Sequence, residues 1–318
     1  MKFKVLTASA ALFFSSISFA SAPISELNIS YVKPPFVLQL LVLKDHKLLE
    51  KEFEKDGIKV NWHNMGTSPE AARAMGAGAL DIAGNMNTAA LLMINAEGLP
   101  IRVVTGLARP TSNFALVSKP GTNFSIKDLK GKKVVGPKGT FLHQLLVAAL
   151  EKEGLTEKDV QFVSMGIPKA LSTILAGQAD AALVASSALI KANKAGAPTI
   201  VSAEGLVQPT LIMTTTEKFA KEHPDIVARV NKVYKQALDW MNKNLEKTAE
   251  MGAKEHGISV ENSKTLISRS HYFSAMTAQD VKDLEVNKKF LKENNMMRKD
   301  VGLFTYYGEM VGYSIGQT

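Results

Sequence analysis

Six short stretches of this chain carry residue types that could bind an anion. They read Lys33-Pro34-Pro35, Gly66-Thr67-Ser68-Pro69, Asn85-Met86-Asn87-Thr88, Gly136-Pro137-Lys138-Gly139-Thr140, Gly166-Ile167-Pro168 and Ala185-Ser186-Ser187. Hydroxyls, amides and glycines dominate them, with one lysine in each half of the series. Glu70 is the only carboxylate nearby. Residues of these types begin helices, and a helix N-terminus presents unsatisfied N–H groups with about half a positive charge, which suits an oxyanion. A single Ser, Thr or Asn there is more often an ordinary cap. The weight comes from the arrangement occurring twice. Gly136 to Thr140 is the strongest corner, because glycine lets backbone approach a ligand and Thr140 can cap and donate. His143, one turn into the next helix, can face the same cleft.

Other chemistries find no support. The chain has no cysteine, which removes disulfides, thiolate metal sites and a cysteine nucleophile. Its six histidines show no metal-ligand spacing. Gly76-Ala77-Gly78 ends a helical stretch where a dinucleotide loop would begin one, and no Gly-x-Ser-x-Gly elbow occurs. The reading therefore assigns no catalytic residue, metal or cofactor.

The elements that must position these corners recur as well. Lys33 to Val42 and Lys138 to Val147 share six of ten residues. Met65-Gly66 matches Met165-Gly166, Gly78-Ala-Leu-Asp81 matches Gly177-Gln-Ala-Asp180, and Gly98-Leu-Pro100 matches Gly196-Ala-Pro198. Four blocks in one order at an offset of about a hundred residues exceed any solenoid period and indicate two similarly built units. Strands are predicted at 27–32, 58–63, 81–84, 101–105, 114–117, 133–136, 161–164, 181–184, 199–202 and 211–214. Helices alternate with them, including one at 36–54, one at 218–243 and one at 278–294. Such alternation gives mainly parallel sheets flanked by helices, an α/β fold. Crossovers near 109–112 and 205–209 predict two lobes joined by two strands: 21–108 with 207–318, and 109–206.

Met1 to Ala20 has a basic start, a short apolar run and a small-x-small ending, which predicts a cleaved signal peptide. No later run is long and apolar enough to span a bilayer, so a soluble exported protein is expected. The net charge of +8 becomes +6 without Lys2 and Lys4, a weak bias toward anionic ligands. The lysines are interspersed with glutamates, which argues against nucleic acid.

Ile126-Lys-Asp128-Leu129-Lys130-Gly131-Lys132-Lys133, followed by Lys138-Gly139-Thr140 and His143, resembles the second-lobe opening of periplasmic solute-binding proteins of the aliphatic sulfonate, taurine and nitrate type. Gly66-Thr67-Ser68-Pro69-Glu70, Asn87-Thr88 and Lys221-Glu-His-Pro224-Asp225 are also similar to that family. Proteins that bind thiamine-pyrimidine precursors look like its relatives. The resemblance implies a monomeric, two-lobed type II periplasmic binding fold with a two-strand hinge. It further implies a periplasmic location, an ABC transporter permease as partner, and a small oxyanion ligand such as taurine or an alkanesulfonate. Nitrate or a pyrimidine precursor is the alternative, with an enzyme on the same fold less favoured. By position, Thr67, Ser68, Asn87, Thr88, Gly139 and Thr140 would line the cleft. The family's Trp-Asp-Pro-Tyr is replaced here by Ala185-Ser186-Ser187-Ala188, so an aromatic wall is missing.

Overall fold

The computed structural model describes residues 23–33 and 36–302; the expected signal peptide, Pro34 and residues 303–318 lie outside the described residues. The chain alternates strands and helices: β1 (Glu26–Tyr31), α1 (Leu38–Asp45), α2 (Leu48–Phe53), β2 (Lys59–Asn64), α3 (Ser68–Gly76), β3 (Ile82–Asn87), α4 (Thr88–Ala96) and β4 (Ile101–Ala108). It continues with β5 (Phe114–Ser118), β6 (Lys133–Gly136), α5 (Phe141–Lys152), β7 (Gln161–Ser164), α6 (Ile167–Leu175), β8 (Ala181–Ala185), α7 (Ser187–Lys194) and β9 (Thr199–Ser202). The last part holds β10 (Leu211–Thr216), α8 (Glu217–Glu222), α9 (Pro224–Lys243), α10 (Leu245–His256), α11 (Val260–Ser268) and α12 (Ala278–Glu293).

Two five-stranded sheets result, ordered β2-β1-β3-β10-β4 and β7-β6-β8-β5-β9. The two orders are the same pattern. In each, the fourth strand alone runs against its neighbours: β10 is antiparallel to β3 and β4, and β5 to β8 and β9. Only residues 109–113 separate β4 from β5, so the chain passes directly from the first sheet into the second. The central strands β3 and β8 are buried at every position, because helices cover both faces. Their small residues allow close layers.

The sequence repeat corresponds to equivalent contacts. Asp81 accepts the Asn28 N–H at 2.7 Å, and Asp180 accepts the Lys133 N–H at 3.1 Å, each tying its strand to a parallel neighbour. Their ionisation differs. Burial pushes the Asp81 carboxyl up, whereas the Lys119 ammonium, 2.9 Å away, holds Asp180 below the usual range.

Two helices depart from the sequence expectation. The helix expected over 36–54 is broken at Lys47, which takes a left-handed φ of 52°. The one expected over 218–243 breaks at His223, because the residue before Pro224 disfavours helical backbone. Helices α10 and α11 lie between the helices expected at 218–243 and 278–294 and complete a helical tail. With the segment that follows, they strap the crossing. The Arg109 guanidinium makes two-pronged hydrogen bonds to the buried Asp280 carboxylate and stacks 3.5 Å from the Phe273 ring centre. The Tyr272 hydroxyl donates to the Phe36 carbonyl at 3.0 Å. Among the described residues no helix is long and apolar enough to cross a membrane.

Candidate functional site

The corners after β1, β2, β3 and β6 meet across a narrow gap between the two sheets. Its walls are Val32, Gly66, Thr67, Ser68, Asn85 and Asn87 from the first sheet's side, with Leu211 of β10. Phe114, Pro137, Thr140, Leu142 and Ile167 close it from the second. The cavity measures about 40 Å³, and among the described residues no ionisable side chain lines it. Its position beyond the carboxyl ends of parallel strands is where open α/β sheets bind ligands. Glycine makes the narrowness possible: a Cβ on Gly139, whose φ is +70°, would lie 3.3 Å from Pro69 across the gap.

The two sides differ in what they leave unbonded. On the first side, Thr67 accepts from the Glu70 N–H at 3.3 Å and caps α3, while Glu70 turns back to the Gly66 N–H at 2.8 Å. Asn87 caps α4 by accepting from the Ala90 N–H at 2.9 Å. Its amide donates to Ser68 Oγ at 3.3 Å, leaving the serine proton free to donate into the cavity. Asn85 is fixed between the Ser30 hydroxyl and the Met65 carbonyl. On the second side no side chain caps α5, α6 or α7. Thr140 donates its hydroxyl to the Pro137 carbonyl at 2.8 Å instead, and Gly166 has no side chain to offer. The first-turn N–H groups of α5 and α6 therefore face the gap as donors.

The other residues singled out from sequence lie elsewhere. Lys33 is exposed and pairs with Glu255 at 3.4 Å. Lys138 is exposed and sits 3.7 Å from Glu157. Thr88 is buried with its hydroxyl unpaired, and Gly139 stands at the rim. His143 points away from the gap. It accepts from the Gly139 N–H at 3.4 Å through Nδ1, so its proton sits on Nε2, which meets Glu157 at 2.8 Å. The ring also stacks on Phe162. That N–H holds the Glu157 carboxyl below its usual range, with Lys138 adding to the effect. Ser186 adopts φ 51° and ψ −120°, and its Oγ accepts from the Phe36 N–H. Ser187 bonds His256. Ile167 belongs to the expected Gly166-Ile167-Pro168 corner, but Phe114, Leu142 and Leu211 were not anticipated, because apolar cleft residues carry no signature distinct from core.

Residues 52–248 match the model of the family described as NMT1/THI5 like. The chain belongs to the NMT1/THI5-like family. Among its relatives is a protein of Bacillus subtilis (strain 168) whose name assigns it to aliphatic sulfonates, 30% identical over 67% of this chain and 64% of that one. Another is the taurine-binding periplasmic protein of Escherichia coli (strain K12), 28% identical over 55% of each. The chain thus spans between half and two thirds of the length of these curated relatives. The alkanesulfonate-binding protein SsuA of Xanthomonas axonopodis pv. citri, bound to MOPS, superposes with a TM-score of 0.76 at 22% identity. That superposition covers 88% of this chain and 96% of SsuA, and it shows the shared periplasmic binding protein fold.

Two substitutions separate cap from ligand contact in this NMT1/THI5-like protein. Thr67→Ala removes the α3 cap and is expected to cost about 1 kcal/mol in urea unfolding. Lys138→Ala, at an exposed pair outside the cavity, is expected to leave both unfolding and ligand affinity within error of wild type.

Proposed function

We propose that this protein is the solute-binding component of an ABC importer for a small organosulfonate of the taurine or short alkanesulfonate type. Two lobes, 21–108 with 207–318 and 109–206, part to admit the solute and close on it. One observation carries the reading: the cavity offers uncapped helix N-termini and neutral donors with no ionisable side chain among the described residues. A sulfonate is a permanent monoanion with three acceptor oxygens and no proton to exchange. Fixed partial positive charge suits it, and no general acid or base is needed. Leu142, Ile167, Phe114 and Leu211 give its carbon stem an apolar wall. The names of the curated relatives support the same class.

The small cavity favours a second reading, an inorganic oxyanion such as nitrate. A thermal-shift and calorimetric series with taurine, ethanesulfonate, nitrate and a neutral pyrimidine tests both. A ligand at a hundredfold excess over its dissociation constant adds about 2.7 kcal/mol of stability. Stabilisation by the sulfonates is expected. Stabilisation by nitrate alone selects the second reading, and stabilisation by the pyrimidine alone overturns both.

A further inference from the structure

Away from the solute cavity, α7 of the second lobe is pressed against a small apolar cluster of the first. Phe36, Leu38, Leu41, Leu238, Met241 and Leu266 form that cluster, and Ile190 of α7 packs on it. Three polar contacts surround the packing. Ser186 Oγ accepts from the Phe36 N–H at 3.2 Å, and Ser187 Oγ lies 3.0 Å from His256 Nδ1. The Lys191 ammonium donates to the His256 carbonyl at the C-terminal end of α10, where a cation is favoured. Phe36 and His256 pack ring against ring, with centres 4.7 Å apart. The three polar contacts each join the two lobes directly and so add to closure whatever the solute. The Phe36–His256 packing holds the receiving face of the first lobe together. Ser186 holds its place at a positive φ that a non-glycine residue adopts only under constraint, and Asn113 supplies it by accepting the Ser186 N–H at 2.7 Å.

We propose that Ser186, Ser187 and Lys191 form an interlobe latch with Phe36 and His256, that the latch needs His256 without a second proton, and that acidification therefore opens the lobes. The proposal rests on two lobes that close, and not on the identity of the solute. The charged groups acting on His256 are Lys191 from α7 and Lys33 from the segment after β1; Glu255, on its own helix, is paired with Lys33. Burial, then these two ammonium groups, pull the imidazole from 6.5 down to about 4. In an open form the ring regains water and loses Lys191, and its affinity for protons returns toward the ordinary value. Protons therefore favour the open form. The latch has full strength above about pH 6.5 and loses it as pH falls toward 4. With those limits, the closed-to-open ratio drops about thirty-fold between pH 8 and pH 5.

The chain has no cysteine of its own, so paired labels are straightforward. Lys59→Cys and Lys127→Cys place one spin label on each lobe of the full-length mature protein, and the interlobe distance is read at pH 8 and pH 5 with no sulfonate added. The expected result is loss of the short-distance population at pH 5. His256→Asn retains a hydrogen-bonding group near Nδ1 and cannot titrate, so its distances are expected to be the same at both pH values. Ser187→Ala is expected to lower the closed fraction several-fold at pH 8. A wild-type distance that ignores pH, a His256→Asn variant that responds as wild type does, or an unchanged closed fraction in Ser187→Ala would each overturn the latch.

Discussion

Asn87→Asp is expected to weaken binding of taurine and ethanesulfonate by a hundredfold or more at pH 8, together with a loss of roughly 2 kcal/mol in unfolding stability from burying the carboxylate and losing the amide donated to Ser68. Asp is as good a helix cap as Asn, so its oxygen still accepts the Ala90 N–H and α4 still starts in place. What changes is charge. Asn87 is 5% exposed and lines the cavity, so the new carboxylate stands beside the bound anion with little water between. At about 5 Å and an effective dielectric near 20, the repulsion is about 3 kcal/mol. Such a buried pair is poorly screened, so added salt should restore little affinity. Acidification should restore more, since burial favours the protonated carboxyl. Calorimetric titration at pH 8 and pH 5 reads both effects. Unchanged affinity at pH 8 would show that no anion binds beside Asn87.

Gly84→Ala is expected to destabilise the protein by about 3 kcal/mol or more, read as a lower urea midpoint. Gly84 lies in β3, the middle strand of the first sheet, where a Cβ would sit 2.4 Å from the Ser30 carbonyl and 2.8 Å from Leu40. The first of these is backbone, fixed by the parallel register of Ser30 opposite Ala83. It cannot yield without opening β1 from β3. That movement would also stretch the Ser30–Asn85 hydrogen bond and disturb the cavity wall, so ligand affinity should fall with stability. Gly121→Ala supplies the comparison. Its φ is +75° with open space around it, so it should cost only about 1 kcal/mol of backbone strain. Equal losses at the two positions would rule out the steric account.

Much of the framework is legible in the chain because it depends on short-range rules. The duplicated blocks, the caps Thr67 and Asn87, and the glycines ending helices at Gly78 and Gly177 each act through residues a few positions away. The family resemblance stood on those same stretches. Side chains that turn away from an expected contact were not legible. Thr140 bonds back to Pro137 rather than capping α5, and His143 faces Glu157, outcomes set by loop geometry that no spacing encodes.

Sequence by itself determined that two like α/β units are joined by two crossings, since hydrophobic period, turn residues and repetition are local properties. Tertiary structure decided which corners share a cavity, and it brought Phe36, Ser187 and His256 together from segments up to 220 residues apart. It also turned β5 and β10 against their neighbours. Those outcomes depend on the packing of distant faces, and they exist only once both sheets have formed.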